Sequence, residues 1–300
     1  MTVTALPRAA WEQRLVDLWS LLKFKQTALL LVTGLCGYLL SHGWPVPPHE
    51  GLGLLAGLFL SISGCTAVNM VLDRDLDARM VRTAGRPLPA GRLRVREAAL
   101  FGGGLALAGL ALCCILDWRF GAVVAAGFAF DLGIYTAWLK RRSPLSIVLG
   151  GVAGGMPVLA GRVLAIGRLD GPGLLLAAAV LLWIPAHILT LALRHAADYR
   201  AAGIPIWPTR YGVHSTRLLI AAANLLNVLV LTAAGLLLRI HPIALALLLV
   251  MGGAMMALAL LQLLAPTDRR NWFLFKAASV YMLVSSLVLT AGRLLISVSG

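Results

Sequence analysis

Residues 69–91 read NMVLDRDLDARMVRTAGRPLPAG, and they follow the apolar run GLGLLAGLFLSISGCTAV (51–68) without a break. Three aspartates and four arginines therefore fall within the eighteen residues 69–86, at the mouth of a segment long enough to cross a bilayer. The hydrocarbon core of a membrane is about 30 Å thick, which takes about 20 apolar residues in helical form. The apolar run decides the fold class, and the charged run beside it points to the function.

Similar apolar runs recur along the chain, at about 22–40, 52–72, 98–116, 120–139, 145–166, 173–194, 218–238, 242–264 and 272–295. They do not alternate polar with apolar, so a membrane β-barrel is excluded. Hydrophobic residues make up 60% of the chain and charged residues 13%, against about 25% charged in soluble domains. The sequence predicts an all-α, polytopic membrane protein with nine transmembrane helices around a central cavity open toward the cytoplasmic face. Residues 1–300 form a single domain, in which 1–21 is a cytoplasmic or interfacial N-terminal segment. Trp11, Glu12, Arg14, Asp17 and Trp19 precede the first span and do not form a signal-peptide pattern.

The net charge of +14 would suit a nucleic-acid binder, but its distribution argues against one. With the N-terminus in the cytoplasm, only Arg119, Arg162, Arg168, Arg239 and Arg293 of the 26 Lys and Arg residues fall on the far side. That asymmetry is the positive-inside pattern. It predicts a multi-pass protein of a bacterial-type plasma (inner) membrane, with a cytoplasmic N-terminus, the C-terminus on the opposite side, and no nucleic-acid partner. Cys36, Cys65, Cys113 and Cys114 lack metal-ligand spacing and read as small apolar fillers.

Residues four apart on a helix lie about 40° apart around its axis, so Asn69, Asp73 and Asp77 form one polar stripe. An aspartate facing mid-bilayer lipid costs about 2.5–3.5 kcal/mol, which places the stripe at a helix end beside a wet cavity. Two carboxylates one turn apart repel, and Mg2+ is the natural compensator. It prefers oxygen ligands and is commonly held by one or two carboxylates plus substrate phosphates. Arg82 and Arg86 suit those phosphates, because guanidinium groups bind them bidentately. Lys140, Arg141 and Arg142, like Arg200, read either as topology anchors or, facing the stripe, as further diphosphate ligands. The alternative for the acidic cluster is a salt-bridged helix end, with Asp75 on Arg79 or Asp73 on Arg74. Asp131 lies in mid-span, either protonated or paired with another helix, and receives no role.

The stretch 69–89 resembles the first aspartate-rich motif of the UbiA superfamily of intramembrane prenyltransferases, in its haem O synthase branch. The shared pattern is Asn, three residues, Asp-Arg-Asp, then Met-x-Arg-Thr and Arg-Pro. YTAWLKRRSPLSIVLGGVAGGMPVLAG (135–161) and DYRAAGIPIWP (198–208) match that branch in the same order. The resemblance implies a second acidic motif facing the first, with Asp198 as its carboxylate. Asn69, Asp73, Asp77 and Asp198 would then be catalytic, with Mg2+ on Asp73, Asp77 and Asp198. Arg82, Arg86, Lys140, Arg141 and Arg200 would bind the diphosphate, and His187 and Tyr199 the acceptor. The implied donor is farnesyl or another polyprenyl diphosphate, and the implied acceptor haem B or another aromatic or macrocyclic molecule. The reaction would be Mg-dependent transfer to a vinyl group of protohaem IX, giving haem O.

The chain departs from the branch pattern at three places. Ala197 stands where an acid is usual, Ile188-Leu189 replace Phe-Trp after the histidine, and Arg162 replaces a tryptophan. The rival readings are a prenyltransferase for a quinone precursor, chlorin or lipid, and a cation or proton transporter. Transport needs polar groups staged through the bilayer, whereas these acids gather at one face.

Overall fold

A computed structural model describes the backbone of residues 10–299 and the side chains of 11–296. Residues 1–9 of the N-terminal segment lie outside the described residues. Among those described, nine helical stretches are long and apolar enough to cross a membrane, and there is no strand. The first three are α2 (Phe24–His42), α3 (Pro48–Leu72) and α5 (Val95–Leu116). The fourth, Trp118–Leu139, joins α6 (Trp118–Phe128) to π-helical turns over Ala129–Leu139. The fifth is α7 (Ser146–Ile166). The sixth, Gly171–Arg194, runs from α8 (Gly171–Ile184) through π-helical Pro185–Leu189 into α9 (Thr190–Arg194). The last three are α11 (Trp207–Leu237), α12 (Pro242–Leu264) and α13 (Asp268–Ser299). Short helices α1 (Ala10–Leu21), α4 (Arg74–Arg79) and α10 (Ala196–Ala201) lie beside the long ones.

Helical hydrogen bonding outruns the apolar windows. α5 begins at Val95 and α11 at Trp207, with a break in α11 at Gly212 (φ 85°). Hydropathy marks only the part that suits lipid, while polar first turns continue the helix into water.

α3 packs along α5, α2 along α7, and α7 along α8. Small residues allow these close approaches, since helices in lipid associate through packing rather than hydrophobic exclusion. A methyl group on Gly161 would run into the carbonyl oxygen of Gly34, and one on Gly155 would lie 2.6 Å from that of Ala177. The glycine series of α7 therefore serves helix contact. Arg162, in the same helix, is 7% exposed and donates from Nε to Asp170 at 2.6 Å and from a terminal nitrogen to Ser41 at 2.9 Å. It ties three spans together at the end opposite the acidic stripe, which explains an arginine where the resemblance led us to expect tryptophan.

α1 is amphipathic in place. Asp17 is 4% exposed and accepts from Nε of Arg92 at 3.1 Å, whereas Trp11, Leu15, Val16 and Trp19 face outward.

Candidate active site

α3 ends at Leu72, Asp73 caps it, and α4 starts at Arg74. The helical register survives the junction, because the Asp73 amide donates to Asn69 O (2.9 Å) and the Asp77 amide to Asp73 O (2.8 Å). Asp73 and Asp77 are 3% and 6% exposed, while Asp75 lies on the outer side. Neither local ion pair considered from sequence forms: Asp73 and Arg74, one apart, do not face each other, and Asp75, which could reach Arg79, is taken by Arg141. Each acid instead takes a cation from elsewhere in the chain. Lys140 Nζ binds Asp73 Oδ2, and Arg86 donates to Asp77 Oδ2 at 2.6 Å. Arg141 holds both oxygens of Asp75 at 2.7 Å and also donates to Leu72 O at 2.8 Å. Those hydrogen bonds hold the Asp75 carboxyl down at about 2.

Arg141, expected at the diphosphate, thus has its guanidinium committed to the junction between α3 and α4. Lys140 lies 5.5 Å over the Tyr135 ring, positioned by a π-helical bond from its amide to Tyr135 O (2.8 Å). Such wide turns recur at functional sites.

Lys23 completes this group of charges, although the sequence shows it only as a base before the first span. It links α1 to α2 in the left-handed region (φ 43°, ψ 53°), which costs a residue with a Cβ about 1–2 kcal/mol. Burial lowers its ammonium to about 8; Arg86 and Lys140 add to the shift, and Asp77 and Asp73 oppose it. The available signal is the stretch LLKFK, in which an ammonium lies between apolar residues at a helix mouth.

Deeper in the bilayer, Asn69 Nδ2 donates to Thr136 Oγ1 at 2.9 Å and lies 3.5 Å from Asp131 Oδ1. Cys65 Sγ donates to Asp131 Oδ2 at 3.3 Å. The mid-span aspartate is therefore paired across helices.

Asp198, on α10, accepts from the Val81 amide at 2.9 Å and weakly from the Arg82 amide at 3.5 Å. The two acidic motifs do meet, but through the backbone that follows α4. The Arg82 and Arg86 segment is a series of turns rather than a helix, with Arg82 and Arg200 exposed and Tyr199 half-buried against the apolar core. Among the described residues, no three His, Cys, Asp or Glu side chains assemble as a metal site. The expected set of Asp73, Asp77 and Asp198 is not gathered as one cluster.

A single carboxylate nevertheless fits a divalent cation. Asp73 Oδ1 is buried with no hydrogen-bond partner, and such an oxygen beside Asp77 is the hard donor that Mg2+ takes, with phosphate oxygens filling its remaining positions.

His187 stacks between Trp183 (4.9 Å, 15°) and Phe275 (4.6 Å, 17°), and its Nδ1 lies 3.2 Å from Ser279 Oγ. Phe275 in turn stacks on Trp272 (4.9 Å, 16°). The aromatic surface missing at Ile188 and Leu189 is supplied by Trp183 and by the ninth span.

The family model for UbiA prenyltransferases matches residues 30–287. The chain belongs to the UbiA prenyltransferase family. A protoheme IX farnesyltransferase of Thermofilum pendens is 46% identical over 196 residues, covering 65% of this chain and 69% of that protein. Among solved structures, digeranylgeranylglyceryl phosphate synthase aligns with a TM-score of 0.78 at 20% identity, covering 94% of this chain and 99% of the other. A UbiA homolog from Archaeoglobus fulgidus bound to GPP and Mg2+ aligns at 0.70 and 13% identity, covering 92% and 99%. This prenyltransferase is thus a multi-pass integral membrane enzyme with the UbiA fold.

Proposed function

We propose that this prenyltransferase transfers farnesyl from its diphosphate to a vinyl group of protohaem IX, giving haem O. The observation that carries the reading is the unpartnered, buried Asp73 Oδ1 amid Lys140, Arg86 and Lys23. A dianionic or trianionic head group is what such a set of charges can hold. The protoheme-named relatives supply the acceptor.

Bound Mg2+, on Asp73 and Asp77, would supply neutralisation of the diphosphate. Lys23, Lys140 and Arg86 would face the same oxygens, with Arg82 reaching in from the exposed turn, so charge that grows on the leaving group would meet cations. The allylic carbon–oxygen bond breaks with its electron pair going to the diphosphate. The vinyl π electrons then form the new bond to the allylic carbon. The cation left beside the macrocycle takes up water and loses a proton, so haem B, farnesyl diphosphate and water give haem O and diphosphate. Asn69, held by Thr136, fixes the depth of the stripe. His187 and Tyr199 line the acceptor side, and Arg200 stands at its cytoplasmic rim. In this state the geometry supports a loop-holding role for Asp198, and metal ligation by it rests on the resemblance alone. The site opens to the cytoplasm of a plasma membrane, with α1 laying Trp11, Leu15 and Trp19 into its surface.

The test offers purified protein labelled farnesyl diphosphate and Mg2+ with haem B and 4-hydroxybenzoate side by side. Label should enter the haem alone. Labelled hydroxybenzoate beside unlabelled haem would sink the acceptor assignment.

Lys23 adds a pH dependence. Its lowered value means that the positive form present below about 8 is lost as pH rises past it. kcat/KM for farnesyl diphosphate should therefore decline above about pH 8. Lys23→Arg should flatten that limb, because guanidinium stays charged. Lys23→Gln should remove the limb and raise KM about tenfold at pH 7, the loss of about one charge-assisted contact. An unchanged profile in both variants would take Lys23 out of the site.

A further inference from the structure

Three cations gather around Trp272, where the sixth and ninth spans meet at the same end of the molecule as Asp73. Arg194 lies with its guanidinium carbon 4.4 Å from the Trp272 ring centre, and Lys276 with its ammonium 5.4 Å away. Arg269 joins Trp272, Phe273 and Lys276 in lining a recess of about 620 Å³. Arg270 borders it too, but its guanidinium is taken by the Ala265 carbonyl. Among the described residues, none of the ion pairs involves Arg194, Arg269 or Lys276. Like charges crowded into one recess repel, and topology alone does not require two of them to sit over one indole.

A row of stacked rings runs inward from the recess. Trp272 is the last ring of the stack Trp183, His187, Phe275, Trp272, which leads from inside the bilayer to the recess. The wall is apolar at one end and cationic at the other. It matches a flat apolar body that carries carboxylates along one edge only. Those carboxylates must stay at the interface, since ionised groups at mid-bilayer are expensive.

We infer that Arg194, Arg269 and Lys276, grouped about Trp272, receive the two propionate carboxylates of the acceptor macrocycle. This rests on the reading of the acceptor as protohaem. Anchoring the propionate edge turns the opposite, vinyl-bearing side of the ring away from the interface and toward the allylic carbon. The cluster is then a specificity device: it selects acceptors with paired acids and sets which edge reacts. Arg194 and Lys276 act by positioning and take no part in bond making.

The experiment compares haem B with its dimethyl ester in the whole enzyme, with labelled farnesyl diphosphate. The ester keeps the ring, iron and vinyl groups and loses only the two negative charges. In the unaltered protein, KM for the ester should exceed that for haem B by about tenfold or more, the worth of one or two charge-assisted contacts. The double variant Arg194→Gln with Lys276→Gln should raise KM for haem B by a similar factor. It should leave KM for the ester and for farnesyl diphosphate where they were. Equal KM for acid and ester in the unaltered protein would overturn the inference while leaving the haem reading intact. So would a double variant that raises both acceptors in the same proportion, because that pattern marks a structural role. A third overturning result is loss of bound phosphatidylglycerol from the double variant with acid and ester still treated alike, which would assign the cluster to a lipid headgroup. Failure of haem B itself as an acceptor would overturn the function and this inference together.

Discussion

Asp73→Asn is expected to lower kcat for prenyl transfer by about 10³-fold or more while the protein still inserts and folds. The side chain keeps its shape and loses its charge, so the change falls on the metal and the diphosphate rather than on packing. Loss of one preorganised electrostatic contact costs an enzyme about 10²–10³ in rate, and loss of a metal ligand removes several kcal/mol of charge stabilisation in addition. A moderate loss of stability is expected beside it, because asparagine leaves the Lys140 ammonium without its counter-charge on Oδ2, although Asp73 Oδ1 is itself buried without a partner. A group in that state costs the folded protein about 1–3 kcal/mol, so it contributes little to folding and is retained for chemistry. Turnover, membrane abundance and thermal midpoint should be measured on one preparation. Mg2+ should raise the midpoint of the unaltered protein, since a ligand that binds only the folded state stabilises it, and should not do so for the variant. Retained turnover, or an equal Mg2+ response in the variant, would remove Asp73 from the metal site.

The second large effect is structural. Gly161→Ala should lower the yield of folded protein sharply, with destabilisation of about 3 kcal/mol, at the upper end of what overpacking one methyl group costs. The added carbon meets the Gly34 carbonyl, which is backbone and has no rotamer to change, so α2 and α7 must separate. The same step brings Gly37 off the Val158 carbonyl, because the two contacts belong to one crossing. The control is Gly253→Ala in α12, where an added methyl meets nothing within 4 Å. That variant should be neutral or slightly stabilised, since alanine favours the helix over glycine. The check is detergent-solubilised yield and melting of both. Equal behaviour of the two would mean that α2 and α7 do not approach as described.

Much of this molecule is legible in its sequence. Apolar runs near 20 residues mark the spans because the bilayer tests each segment separately. The basic residues give an expected orientation, because insertion reads them loop by loop. The stripe Asn69, Asp73 and Asp77 is legible because helical spacing is local, whereas Arg86, expected at the diphosphate, is found paired with Asp77. The sequence misleads where a partner lies far along the chain. Asp75 looks as if it should pair with Arg79, yet Arg141 reaches it from 66 residues away. Arg162 looks like a lost aromatic until Asp170 and Ser41 close on it.

By itself, then, the sequence determined the nine spans and the acidic helix end. Tertiary structure alone decided that Lys23 enters the site through a left-handed link, that Asp198 turns to the Val81 amide, and that the ninth span lays Phe275 against His187. The division follows from range. Hydropathy and helical spacing act within about 20 residues, whereas a buried charge or ring takes whichever partner the packing brings to it.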